Sequence, residues 1–254
     1  MSIGTVKCEI KNGIATISFF HPQSNSLPGS LLRSLTAEID NASANPDAKV
    51  IILKSEGEKV FCAGASFDEL TSITTLEEGK YFFSGFASLI NAMRKSPKFI
   101  LARVQGKAVG GGVGVACAAD YTFAHQSASV KLSELAVGIG PFVVGPAVER
   151  KIGVASFATL SINASEWCSA EWAKEKSMYS EIYSTISELD EALNKLARKL
   201  AESNPEAMSQ LKRILWKDTD HWDSLLMQRA EISGKLVLSE FTRDAIAKFK
   251  SGTR

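Results

Sequence analysis

Apolar positions alternate or run together over residues 6–10 and 14–19, and Lys11-Asn12-Gly13 stands between the two runs. Asn-Gly supplies the positive φ angles of a tight hairpin turn, so the pattern predicts a chain that opens on two antiparallel strands. After His21-Pro22 the period changes. From Pro28-Gly29 onward Leu31, Leu32, Leu35 and Ile39 recur at helical spacing, Asn45-Pro46 stops them, and residues 50–53 read as a short buried strand. The same phrase returns with a helical stripe of Phe82, Phe83, Phe86, Leu89, Ile90 and Met93, a stop at Ser96-Pro97 and a strand over residues 99–104. In a third unit Gly110-Gly111-Gly112 turns into an Ala-rich helix that closes at Ala119-Asp120, before a strand over residues 121–124. Strands alternating with helices predict an α/β architecture with crossover connections.

From Ser187 the strand signals vanish and the helical period takes over through Leu189, Leu193, Leu196 and Leu200, then Met208, Leu211 and Leu215, with Asn204-Pro205 between them. A last helical pair is expected over residues 222–238 and 240–249. This reading divides the chain into a site-bearing core, residues 1–190, and a C-terminal helical region, residues 191–254. The Trp, Leu and Met of the last helices outnumber what one thin layer needs, which points to a partner subunit as their cover.

Composition narrows the function by exclusion. The chain has 254 residues, 45% of them hydrophobic and 22% charged, enough for one full core. Its formal net charge of +1, without a Lys/Arg run, gives no field to draw nucleic acid or an anionic membrane surface. No apolar stretch reaches the roughly 18 residues of a membrane span. Cys8, Cys62, Cys117 and Cys168 form no CxxC pair and no signal peptide precedes them, so a reducing cytoplasm is the expected location. His21, His125 and His221 have no nucleophile and no ligand-spaced neighbour, His125 and His221 reading as turn residues, and no metal is expected.

Two glycine-containing turns carry more. Phe61-Cys62-Ala63-Gly64-Ala65-Ser66-Phe67-Asp68 follows the strand of residues 51–53, and Gly110-Gly111-Gly112 follows that of residues 99–104. Both fall where α/β sheets meet ligands. Glycine lets a backbone approach a ligand closely, and the helix after Gly111 turns its unpaired N–H groups and positive dipole end towards that space, a place for an oxyanion. No Gly-Lys-Ser/Thr follows, and Gly138-Ile139-Gly140 lacks the third glycine of a dinucleotide fingerprint, so phosphate transfer and NAD chemistry recede. Asp68 and Glu69 read as helix N-terminal charges.

These two turns in order, with Asp120, Leu132-Ser133-Glu134, Gly138, the Asn25-Ser26 pair and Ser169-Ala170-Glu171-Trp172-Ala173, resemble the enoyl-CoA hydratase/isomerase (crotonase) family over nearly the whole chain. The resemblance implies a spiral of ββα units with a C-terminal helical oligomerisation region, assembled as a homotrimer or a dimer of trimers. It implies an acyl-CoA thioester as substrate, with no cofactor beyond the coenzyme A that the substrate carries. It further implies that the N–H groups of Ala65 and Gly111 hold the thioester oxygen, and that Asn25, Ser26, Ala63, Gly64, Phe67, Gly110, Gly114 and Phe142 line the ligand path.

Hydratases of the family carry two glutamates sharing a water. Here the first position is Gly114 and the second is Glu134, set among Val130, Leu132, Leu135, Ala136 and Val137, whose apolar character would raise its pKa. A single base suits proton shuttling better than hydration. Gly140-Pro141-Phe142-Val143-Val144-Gly145 replaces the small loop of hydratases and resembles that of Δ3,Δ2-enoyl-CoA isomerases. Three readings follow: an isomerase using Glu134 alone; a hydratase of short or branched enoyl-CoA, such as methylglutaconyl-CoA; and a catalytically silent acyl-CoA-binding subunit, suggested by the missing glutamate and by Ser177 where the family commonly has glycine. Thioester hydrolysis and decarboxylation share the same oxyanion chemistry and stay open.

Overall fold

The structure, a computed structural model, describes residues 4–251. β1 (Thr5–Lys11) and β2 (Ile14–Phe20) form the expected antiparallel hairpin, Lys11 facing Ile14 across a turn in which Asn12 and Gly13 take φ of 50° and 79°. Each later turn of the chain then gives one strand to a large sheet and one to a small sheet. β3 (Val50–Ser55), β5 (Ile100–Val104) and β7 (Tyr121–His125) extend the large sheet, completed by β9 (Glu181–Tyr183) in the order β1-β2-β3-β5-β7-β9. β4 (Val60–Cys62), β6 (Lys107–Val109) and β8 (Val130–Lys131) make the small one, all parallel. This is the crotonase-like spiral of ββα units. His125 ends β7 rather than sitting in a turn.

Two helical layers enclose the large sheet. α1 (Gly29–Ala44) and α3 (Leu76–Lys95) cover one face, burying Leu32, Leu35, Phe82 and Ile90 against Ile17, Ile51 and Ala102. On the other face α7 (Ile186–Ala201) sets Leu189, Leu193 and Ala197 on Val50, Ile52, Leu101 and Phe123. The boundary expected at residue 190 therefore falls inside a helix that is a layer of the core. α3 starts six residues before Phe82 because Thr75 and Glu78 form a reciprocal capping box there. Among the described residues no helix is long and apolar enough to cross a membrane.

The remaining helices are α2 (Phe67–Ser72), α4 (Gly111–Ala118), α5 (Gly145–Ile162), α6 (Ala170–Glu175), α8 (Pro205–Leu215), α9 (Trp222–Leu236) and α10 (Glu240–Ser251). α9 lies close on α3, where a methyl added to Gly79 would stand 2.7 Å from the Gly234 carbonyl oxygen. α8 is tied to the core through Asp120, just past the end of α4. Its Oδ2 accepts from the Ile100 N–H at 2.7 Å and pairs with Lys212 Nζ at 2.9 Å, while Oδ1 accepts from Trp216 Nε1 at 2.7 Å. Lys212 is 2% exposed and also donates to the carbonyls of Met93 and Lys98. Burial pushes its pKa down, and Asp120 opposes that shift.

Removing one partner of such a buried pair leaves the other charge uncompensated, at about 3–5 kcal/mol. Asp120→Ala is expected to lower unfolding free energy in urea by that amount, and Lys212→Met by less, because the Asp120 carboxylate left behind keeps its hydrogen bonds from the Ile100 N–H and Trp216 Nε1. Equal, small losses below about 1 kcal/mol for both would show that the pair does not anchor the C-terminal helices.

Candidate active site

The C-terminal ends of β4, β6 and β8 open into one cleft of about 1290 Å³, lined by Ser26, Ala63, Gly64, Ala65, Phe67, Gly110, Gly111, Glu134 and Phe142 among others. At β4 the chain passes through Gly64, at φ 82°, and then pairs with the segment after the first hairpin: the Leu27 N–H donates to the Gly64 carbonyl at 2.7 Å, and Leu27 bridges Ala65 in parallel. In that pairing the N–H of Ala65 points to the edge away from Leu27.

At β6 the Gly110 N–H donates to the Lys131 carbonyl at 2.8 Å, and Gly110 then takes φ 52°, ψ −119° to start α4. Only glycine adopts that conformation without strain. Gly111 is the first residue of the helix, where an N–H has no intrahelical acceptor. Among the described residues neither the Ala65 nor the Gly111 N–H bonds to another part of the fold. The two turns are close-packed: a methyl on Gly64 would lie 3.2 Å from Gly111 N and 2.7 Å from the Val109 carbonyl oxygen. Two backbone donors thus border one space, at a helix N-terminus.

Glu134 stands against the second turn, its Oε1 3.1 Å from where a methyl on Gly110 would be. It precedes a single 3₁₀ turn, Leu135–Val137, and its carbonyl accepts from the N–H groups of Val137 at 3.2 Å and Ile139 at 3.0 Å, which fixes the backbone under the side chain. Oε2 is shielded from solvent and has no hydrogen-bond partner. Burial pushes the carboxyl up to about 7, opposed by a hydrogen bond from its own backbone. Of the neighbours expected to make its setting apolar, Val130 and Leu132 are buried but Leu135 and Ala136 are exposed. The shielding comes from tertiary contact at Gly110, not from those two side chains.

Two residues expected on the ligand path are elsewhere. Asn25 is buried with φ 55°, its Oδ1 accepting from the His21 N–H and its Nδ2 donating to the carbonyls of Glu56 and Val60. It shapes the loop that presents Ser26. Gly114 is buried within α4 behind the wall, and a Cβ there would stand 2.5 Å from Val144 Cβ. Val144 lines the cleft with Val143 and Phe142, whose ring packs on Gly140.

The other polar candidates have structural partners. His21 Nδ1 bonds Ser26 Oγ at 2.9 Å, and His125 bonds Ser127 and the Ser184 carbonyl. His221 precedes α9. Asp68 and Glu69 lie in the first turn of α2, and Glu69 also accepts from the Gly29 N–H at 2.6 Å, satisfying the start of α1. Burial pushes the Cys62 and Cys117 thiols up to about 12, too high for a nucleophile at neutral pH. No group of potential metal ligands occurs among the described residues. The sequence alone does not show Lys107, Val109 and Lys131 on the cleft wall, because β6 and β8 are too short for their alternation to appear, nor Trp167, which is brought there by the bridge of Cys168 to Val130.

A carboxyl with one shielded, unbonded oxygen beside two free backbone donors is an arrangement for moving a proton next to a carbonyl whose oxygen becomes negative. Comparison with known proteins identifies the family. Residues 9–250 match the family model described as enoyl-CoA hydratase/isomerase. The chain is 26% identical over 249 residues to a Bacillus subtilis protein described as a probable enoyl-CoA hydratase, covering 97% of this chain and 96% of that one. It is 32% identical over 192 residues to the mitochondrial methylglutaconyl-CoA hydratase of Mus musculus, covering 74% of this chain and 60% of the relative. The crystal structure of an enoyl-CoA hydratase from Bacillus halodurans superposes with a TM-score of 0.88 at 22% identity, over 95% of this chain and 98% of that one. With the family match spanning both glycine turns, Glu134 and the C-terminal helices, the chain belongs to the enoyl-CoA hydratase/isomerase family of acyl-CoA enzymes.

Proposed function

We propose that this protein is a Δ3,Δ2-enoyl-CoA isomerase in which Glu134 alone carries the proton. One observation supports this most: Val144 stands where a side chain at position 114 would have to go, so the site has no room for the second carboxylate that hydration needs. Glu134, ionised, removes a proton from C2 of a 3-enoyl thioester. The C–H electrons form a C1=C2 enolate whose oxygen is held by the N–H groups of Ala65 and Gly111. Glu134, now protonated, returns the proton to C4 as the enolate electrons reform the carbonyl and leave C2=C3. No water and no cofactor beyond the thioester enters the balance.

The magnitudes suit that role. A carboxyl near 7 is a stronger base than an ordinary glutamate and is half ionised at neutral pH. Each donor acts on charge that develops only in the transition state, and losing one typically costs about 3 kcal/mol in barrier. The coenzyme A moiety is assigned to the side of Ser26 and residues 63–67, and Phe142, Val143 and Val144 keep the reacting carbons dry.

The names of the relatives favour a second reading, hydration of a short or branched enoyl-CoA, in which another group would have to replace the missing carboxylate. A silent binding subunit has less support. Ser177 sits at φ 63°, a turn position where glycine would be easier, but it closes α6 and does not line the cleft.

We also infer assembly as a trimer or dimer of trimers, since Val154, Ile162, Ile214 and Phe241 are each more than 60% exposed in the single chain. Sedimentation at micromolar concentration should give three or six subunits, and a monomer contradicts this.

Incubation with 2-enoyl- and 3-enoyl-CoA thioesters tests the reaction: isomerisation leaves mass unchanged, while hydration adds one water. Glu134→Gln should lower 3-enoyl-CoA turnover by about a hundredfold or more with binding retained. Gly114→Glu alone should destabilise the fold by about 1–3 kcal/mol through overpacking on Val144. The double variant Gly114→Glu/Val144→Gly makes room and should raise hydration of 2-enoyl-CoA. Efficient hydration by the wild type, with 3-enoyl-CoA untouched, would replace this reading with the hydratase.

A further inference from the structure

α3 and α9 run antiparallel, held by Lys80–Glu231 at 2.7 Å near one end and Arg94–Asp223 at 2.8 Å near the other. Where they cross, Gly79 faces Gly234, and a methyl on Gly234 would stand 2.6 Å from Lys80 N, so the two backbones meet with no side chain between them. Ser233, beside that crossing, is 1% exposed and lines the cleft. Among the described residues its hydroxyl has no hydrogen-bond partner. Ser84 and Ser224, on the same two helices, instead return their hydroxyls to the carbonyls of Tyr81 and His221.

The wall between the Gly111 donor and Ser233 is apolar. Phe86 presses on Gly111, where a methyl would stand 2.2 Å from the ring, and Phe83, about one turn back along α3, lines the cleft with it. Leu70 of α2 and Ala245 of α10 belong to the same lining. From Phe86 back to Gly79 is two turns of α3, about 10 Å, so a chain that leaves the thioester along Phe86 and Phe83 reaches Ser233 several carbons on. An apolar tail laid there takes the hydroxyl out of water without a partner, whereas a tail that carries an oxygen supplies one.

The charges nearby favour an uncharged oxygen. Lys80 is paired with Glu231, Arg229 donates to the Phe142 carbonyl at 3.4 Å, and Lys248, also on the lining, is exposed. The buried cations Arg94 and Lys212 are committed to Asp223 and Asp120. A carboxylate brought to Ser233 would lose its water with no buried counter-charge beside it. A hydroxyl needs none, and it rotates to donate to Ser233 or to accept from it.

We propose that Ser233 is a specificity-determining residue that selects an enoyl thioester whose chain bears a hydroxyl group several carbons beyond the thioester. The inference rests on the acyl-CoA reading above and names the substrate class of that site. Pockets that are purely apolar discriminate weakly against an added hydroxyl, but a buried group left unpaired rejects the chain that lacks it.

The test compares ω-hydroxy 3-enoyl-CoA thioesters, over a series of chain lengths, with counterparts in which methyl replaces the hydroxyl, in wild type, Ser233→Ala and Ser233→Cys. Alanine is a good helix former and cysteine keeps the shape with only a weak donor, so both variants should fold. At one chain length the wild type should prefer the hydroxyl by about tenfold in kcat/KM, a difference that one hydrogen bond accounts for. In both variants the preference should fall to within twofold, in Ser233→Ala mainly through better use of the methyl thioester, while free coenzyme A binds within twofold of wild type. Dissociation constants of the same thioesters read the subsite without turnover, so retained discrimination with no isomerisation counts against the isomerase reading alone. The proposal is overturned if the wild type shows no preference at any length, or if the preference survives in both variants, which would assign it to another group. Preference for an ω-carboxylate over the ω-hydroxyl of the same length also overturns it.

Discussion

A carboxyl with one oxygen kept from water and left without a hydrogen bond sets the terms for the rest of this structure. Glu134 Oε2 is shielded and unbonded, and burial holds the group near 7 instead of the ordinary 4.5. For a carboxyl with a raised folded-state pKa the stability contribution is largest below the unfolded value and is lost as pH rises through the folded one. Keeping Glu134 ionised above pH 7 therefore opposes folding by about 3 kcal/mol, a penalty that disappears below about 4.5. A fold of marginal stability carries such a group only against a well-packed frame. The frame here is the small three-stranded sheet: β4 and β6 bring the Ala65 and Gly111 donors together, and β8 delivers Glu134 next to Gly110.

The large sheet and its two helical layers hold that frame in place. Each of these chain turns contributes one strand to each sheet, so the position of a two- or three-residue strand in the small sheet is set by a longer, mostly buried strand in the large one. Asp120 extends the same logic to the C-terminal helices, since one carboxylate closes α4, accepts from β5 and pairs with Lys212 of α8. Val144 acts at the other end of α4. A Cβ at Gly114 would stand 2.5 Å from its Cβ, so the two positions are packed as a glycine against a valine.

The long elements could be read in the sequence and the short ones could not. The Asn12-Gly13 hairpin, the stripe of Leu31, Leu35 and Ile39, and the stripe from Phe82 to Met93 each extend over enough residues for their period to be unambiguous. β4, β6 and β8 span three, three and two residues, too few to alternate visibly, so Lys107 and Lys131 could not be placed on a cleft wall, and Trp167 reaches it only because Cys168 bridges Val130. The setting of Glu134 is legible only in part: two of the apolar neighbours expected to bury it are exposed, and Gly110, distant in sequence, stands against its carboxyl instead. Asn25 and Gly114 were placed on the ligand path because family position says nothing of side-chain direction. Asn25 turns its amide into the loop, and Gly114 meets Val144.

Proton transfer at this site depends on the protonation state of one group. Carboxyl-carbon NMR of glutamate-labelled protein, titrated from acid to alkaline pH and compared with Glu134→Gln, isolates the Glu134 resonance. A midpoint near 7 is the predicted result, and a midpoint near 4.5 would mean that the carboxyl is solvated and that the desolvated base does not exist.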